Sequence, residues 1–183
     1  MLNGVLSFLK VLPSELYVFV ISMLPIVELR GAVPVGAALG IPFYINYAVA
    51  VLGNILPVPF ILLFIPKILD FMAKFKWLRP IVAWVRKKAD KYKGKIVKNE
   101  AEAAGADGTI ARPKMTAAAF VALMLFVALP IPGTGAWTGA LVASLFGMPR
   151  FHSLLSILTG VLICGVIMCL ASYGVLGFLA FLI

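Results

Sequence analysis

The stretch LPIVELRGAVPVGAALGIP, residues 24–42, decides how the chain is read. It sets Glu28 and Arg30 among apolar residues and surrounds them with Pro25, Gly31, Pro34, Gly36, Gly40 and Pro42. Proline removes a backbone donor and glycine loosens the backbone, so these residues predict a helix interrupted from Pro25 to Gly40. Residues 129–149, LPIPGTGAWTGALVASLFGMP, echo the pattern. Leu24-Pro25-Ile26 matches Leu129-Pro130-Ile131. Gly31-Ala32 and Gly36-Ala37 match Gly135-Ala136 and Gly139-Ala140, and Gly40-Ile41-Pro42 matches Gly147-Met148-Pro149. Gly53 and Gly160 each lie 11 residues beyond the last proline of their stretch. With gaps of one or two residues, the chain reads as a duplicated unit.

Composition sets the environment. Of 183 residues, 63% are apolar and 13% charged, about half the ~25% expected of a soluble domain, and the mean hydropathy is +1.09. Residues 31–66 and 115–149 carry no charge, and no Asp, Glu, Lys or Arg follows Arg150. Each run exceeds the roughly 20 residues that a spanning helix needs. The net charge of +9 does not mark a nucleic-acid partner, because 13 of the 16 Lys and Arg fall between Lys67 and Lys114. Clustered basic residues orient a membrane chain and place that segment in the cytoplasm.

Four regions follow. Residues 1–13 read as an interfacial amphipathic helix. Residues 14–66 form a first membrane repeat, with Ser14 as an N-cap and a clean spanning helix from Gly40-Ile41-Pro42 to Ile65. Residues 67–114 form a basic, cytoplasmic, amphipathic segment and linker. Residues 115–183 form a second repeat, whose terminal apolar run is expected to split near Ser172-Tyr173-Gly174. If each interrupted segment is a re-entrant hairpin, the halves are inverted and their tips meet near the midplane; if each spans, the halves are parallel. Cys164 and Cys169 read as small packing residues.

Chemistry is sparse. Glu28 and Arg30 are embedded charges, each costing about 2.5–3.5 kcal/mol at the bilayer centre on the insertion scale. On an intact helix, residues two apart point about 200° away from each other and cannot pair; an unwound backbone beside Pro25 and Gly31 removes that bar. Arg30 offers five fixed donors to a phosphate or carboxylate, and Glu28 can exchange a proton. In the other half, Gly133 and Gly135 permit close backbone approach beside Pro132. Thr134 is placed to cap the half-helix that follows, and Trp137 and Thr138 offer an aromatic face and a hydroxyl. Asn54 and Pro34 complete the candidate substrate-binding set. No nucleotide loop or Ser/His/Asp set is present, and His152 is the only histidine. An enzyme activity, a cofactor and a metal are therefore not expected.

Glu28-Leu29-Arg30-Gly31-Ala32-Val33-Pro34, Gly53-Asn54-Ile55-Leu56-Pro57-Val58-Pro59-Phe60 and Pro130-Ile131-Pro132-Gly133-Thr134-Gly135-Ala136-Trp137-Thr138-Gly139-Ala140 occur in that order. In these motifs the chain resembles the prokaryotic small multidrug export proteins, from about Leu12 to Ile167. More distantly it resembles the DedA/VTT membrane proteins. That likeness implies an all-α polytopic inverted repeat with re-entrant hairpins, lipid translocation, and roles for Glu28, Arg30 and Pro132-Gly133. The second half departs from the DedA/VTT pattern in having no arginine among its broken residues before Arg150. Together these readings predict a transporter in the prokaryotic cytoplasmic membrane. It would use alternating access without ATP, and its partners would be membrane lipid, protons and further copies of itself. Its substrate would be an anionic lipid phosphate or a small amphiphilic cation. The alternative is a non-transporting membrane scaffold or lipid-organising protein.

Overall fold

The computed structural model of the chain describes residues 13–76, 79, 80, 83, 87 and 115–182, with 175–182 by backbone alone. The interfacial helix expected over 1–13 and most of the basic segment 67–114 lie outside the described residues. The described elements are helical: α1 (Ser14–Ser22), α2 (Glu28–Ala38), α3 (Phe43–Ile55), α4 (Pro57–Met72), α5 (Ala117–Ala128), α6 (Ala136–Leu145) and α7 (Arg150–Leu182).

Two classes of length matter. α3 and α4 run on as one apolar stretch, Phe43–Met72, of 30 residues, and α7 carries a 25-residue apolar stretch, Arg150–Gly174. Both are long enough to cross a bilayer. The other four helices have 9 to 12 residues, or roughly 14–18 Å at 1.5 Å per residue, about half of a ~30 Å hydrocarbon core.

Several boundaries differ from the sequence reading. The first long helix passes Ile65 and Pro66 to end at Met72; Ile68, Leu69, Phe71 and Met72 keep it apolar past Lys67. Ser14 is the first helical residue rather than the cap, a place taken by Pro13. α7 does not split at Ser172–Gly174. Tyr173 anchors that turn instead: its hydroxyl donates to the Ile41 carbonyl and accepts from Asn46 Nδ2 at 2.9 Å. Gly31, Pro34 and Gly36 lie inside α2 without breaking it. Gly36 serves close packing, since a Cβ there would overlap the Asn46 amide. The interruption is confined to residues 23–27.

The helices that follow each interruption end alike. After α2, Gly40 (φ +76°) donates to Ala37 and Ile41 donates to Gly36 at 3.0 Å; after α6, Gly147 (φ +65°) donates to Ser144 and Met148 donates to Ala143 at 2.9 Å. These are Schellman caps, in which a left-handed glycine lets two terminal carbonyls find donors. Pro42 and Pro149 follow and start α3 and α7.

Close packing repeats as well. A Cβ on Gly53 would strike the Phe19 carbonyl and Ser22, and one on Gly160 would strike the Met124 carbonyl and Val127. Phe19 and Met124 each lie six residues before the proline that opens their interruption. α1 therefore packs on α3 as α5 packs on α7, and the halves also cross: α2 packs on α7, and α6 on α4. Small residues such as Ala32, Ala136, Ala140 and Ala143 are fully buried in these seams. Close approach of this kind is how helices associate where lipid offers no hydrophobic drive.

Candidate functional site

Glu28 lies at a junction between the two halves. It stands at the head of α2 with φ +50°, the only described non-glycine residue at positive φ. For a residue with a Cβ this left-handed conformation costs roughly 1–2 kcal/mol, and such strain concentrates where function needs it. Gly133, the third residue after Pro130 as Glu28 is the third after Pro25, takes the same region at φ +87° without that cost. The turn geometry suits glycine, yet the first half carries a carboxylate there.

The strained turn directs that carboxylate across to the other half. The Trp137 backbone N–H donates to Glu28 Oε1 at 3.3 Å, so the carboxylate sits on the amino end of α6. Free N–H groups and the helix dipole favour negative charge there. Gly135 makes room, because a Cβ at that position would overlap the carboxylate. Trp137 reciprocates: its indole Nε1–H donates at 3.0 Å to the Met23 carbonyl, inside the first interruption.

Arg30 closes the group. Its Nη2 lies 3.3 Å from Glu28 Oε2, with the side chains of Arg30 and Glu28 only 14% and 7% exposed. A pair two residues apart forms here because the left-handed turn at Glu28 swings its side chain off the helical path. Arg30 Nη1 and Asn54 Oδ1 are nevertheless buried without hydrogen-bond partners, and Arg30 Nη2 has only its ion pair with Glu28. These residues share a small space, too tight for a water molecule, with Leu29, Val127, Gly135, Ala136, Val161 and Cys164. The site combines a charge pair, a helix end and donors still open to an acceptor.

The residues singled out from sequence divide as follows. Glu28, Arg30, Asn54 and Gly135 line the space, and Trp137 binds Glu28. Thr134 does not cap α6; its hydroxyl donates to the carbonyls of Leu129 (3.0 Å) and Ile131 (2.9 Å), closing its own turn. With that hydroxyl engaged, Gly135 holds the N-cap position and Glu28 supplies the acceptor from outside. Pro132, Gly133 and Pro34 are exposed and Thr138 is half-buried, and none of them lines the space. Val127, Val161 and Cys164 were missed; an apolar residue in an apolar run carries no sign of what it faces. Asn46 was also missed. It is fully buried, and its Nδ2 donates to Val33 at 2.8 Å as well as to Tyr173. An amide inside an apolar helix, the signal that marked Asn54 on the same helix, was available for it as well. No group of three or more metal-ligating side chains occurs among the described residues.

Comparison with known proteins gives one match. The family model described as putative small multi-drug export protein covers residues 28–167, which include Glu28, Arg30, Asn54, Gly135 and Trp137. No curated protein and no solved structure matches. The long apolar helices and the family match locate the chain in a membrane, and the chain belongs to the putative small multi-drug export protein family.

Proposed function

We propose that the chain is a transporter working by alternating access without ATP, and that Glu28 is its proton-responsive latch. In this reading the halves are inverted copies, and α1–α2 and α5–α6 are re-entrant hairpins with apices near the midplane. Half-length helices, matched caps and matched glycine contacts support it. One observation carries it: a strained, buried carboxylate of the first half occupies the amino end of a broken helix of the second. Protonation neutralises Glu28, weakens its hold on Arg30 and the Trp137 N–H, and frees the halves to rock. Broken helices at a repeat interface are where transporters of this construction bind substrate.

Charge decides between the two substrate classes at the latch. Arg30 contributes +1 and the end of α6 about +0.5, against −1 from Glu28. Ionised, the site is positive by about half a charge; protonated, by about one and a half. An oxyanion such as a lipid phosphate is attracted in both states, and Arg30 supplies the geometry for it. A second reading, a small amphiphilic cation exchanged for protons, draws on a different feature. A cavity of about 530 Å³ between α3 and α7 is walled in part by Phe43, Tyr44, Tyr47 and Tyr173, whose aromatic rings attract organic cations.

The purified protein in liposomes tests both readings. Accelerated exchange of a labelled lipid phosphate between leaflets, lost in Arg30→Ala and made independent of pH in Glu28→Gln, supports the oxyanion reading. Proton-driven efflux of a cationic dye, lost in Glu28→Gln, supports the second. If neither activity exceeds that of empty liposomes, the transporter reading falls and the scaffold remains.

A further inference from the structure

The Glu28 carboxylate fills a seat built by the rest of the protein. The Trp137 N–H at the amino end of α6 donates to its Oε1 at 3.3 Å, Arg30 Nη2 lies 3.3 Å from its Oε2, and Gly135 leaves room where a Cβ would overlap it. A guanidinium and a helix amino end facing one oxyanion form a common grip on a ligand's carboxylate or phosphate. Here the oxyanion is the chain's own. The seat is full, since the space left beside it is too tight for a water molecule. Two groups lining it stay unserved: Arg30 Nη1 lacks an acceptor, and Asn54 Oδ1, on a residue only 3% exposed, lacks a donor. An ionised carboxylate accepts and cannot donate, so Glu28 leaves Asn54 unsatisfied. A phosphate monoester serves both groups, because with a second pKa of about 6 it offers strong acceptor oxygens and, in its singly charged form, one O–H.

We infer that Glu28 is a tethered stand-in for substrate: the phosphate of a monoester takes the same seat, held by Arg30 and the end of α6 with its O–H donated to Asn54 Oδ1, and expels the Glu28 carboxylate as it enters. Exchange rather than addition is required, because nothing fits beside the seated carboxylate. The occupant is poised to leave, since φ +50° at Glu28 holds the seated turn under strain. A group tethered this closely competes as though present at roughly millimolar concentration, so weak oxyanions are kept out and one that also satisfies Asn54 displaces it. The inference deepens the oxyanion reading of this site and rests on it, but not on the depth of the site in the bilayer.

Binding of labelled inorganic phosphate and of labelled short-chain phosphatidic acid to the purified full chain in detergent tests it. Glu28→Gly empties the seat and suits the left-handed turn; Glu28→Asn, which such turns also accept, empties it in part should the glycine variant fail to fold. Removing a tethered competitor should tighten binding by about tenfold or more in Glu28→Gly, since apparent affinity scales with the fraction of time the seat is free. Glu28→Gln, whose neutral side chain still fills the seat, should gain less, and Glu28→Gly combined with Arg30→Gln should lose the gain. The native chain should prefer phosphatidic acid to phosphatidylglycerol, a diester without the O–H, and Asn54→Leu should abolish that preference. Tightening for phosphatidic acid alone identifies a lipid headgroup as the source; inorganic phosphate displacing it identifies a soluble phosphate. Equal affinity of the native chain and Glu28→Gly overturns the inference, as does equal affinity of Glu28→Gln and Glu28→Gly, because charge alone would then govern the site. Transport of lipid phosphate without the expected tightening sinks this inference alone, and tightening without transport in liposomes sinks the transporter reading alone.

Discussion

Glu28 and Gly135 form a matched pair, one reaching across and the other leaving room. Gly135→Ala places a methyl group where the carboxylate lies, so transport should be lost and unfolding made easier by about 1–3 kcal/mol, the usual range for overpacking. Gly133→Ala meets nothing within 4 Å and strains only its own left-handed turn; about 1–2 kcal/mol is expected, with transport retained. Thermal unfolding in detergent together with the liposome assay separates the two variants. The charge pair should behave cooperatively. Arg30→Gln strands a buried carboxylate and should cost about 3–5 kcal/mol, whereas Glu28→Gln combined with Arg30→Gln should cost much less. Additive losses across that cycle would mean that the two side chains do not depend on each other.

At the level of elements, the unbroken α7 was the least expected feature. A Ser-Tyr-Gly triplet looks like punctuation, but a turn is decided by where its polar groups go. Tyr173 ties α7 to the corner between α2 and α3 through Ile41 and Asn46. Tyr173→Phe should therefore loosen the α7–α3 seam and lower stability by about 1–3 kcal/mol, since it leaves a buried Asn46 amide short of a partner. Hydrogen exchange of residues 41–47 should rise with it; unchanged protection there would show that the tie carries no weight. The same logic explains Thr134, which polar identity marked as a cap. A hydroxyl bonds to the nearest free carbonyls, and those belong to its own turn.

Over the whole molecule, the paired glycine contacts make the relation between the halves measurable. Gly53→Ala and Gly160→Ala both push a methyl group against a carbonyl of the preceding helix, so each should destabilise the fold by about 1–3 kcal/mol. Gly174→Ala, with open space around it, should not. A large loss from one of the pair and none from the other would argue that the two seams are not equivalent. Such paired contacts also constrain motion: α2 and α6 each grip a long helix of the opposite half, so neither can tilt without carrying the Glu28 junction with it.

The order of residues alone determined the medium, the helical class and the punctuation, because a charge-free run, a Pro/Gly interruption and a Gly-x-Pro stop act through local chemistry. It also pointed to Glu28, Arg30, Asn54, Gly135 and Trp137, since charge, amide and small-residue signals are rare in an apolar chain. Tertiary structure decided the rest. That the interruption lies before Glu28 rather than at Pro34, that the carboxylate and not Thr134 serves α6, and that Cys164 joins the site all depend on residues more than a hundred positions apart coming into contact. The free energy of a buried charge is settled by what finally surrounds it, and only the packed helices supply those surroundings.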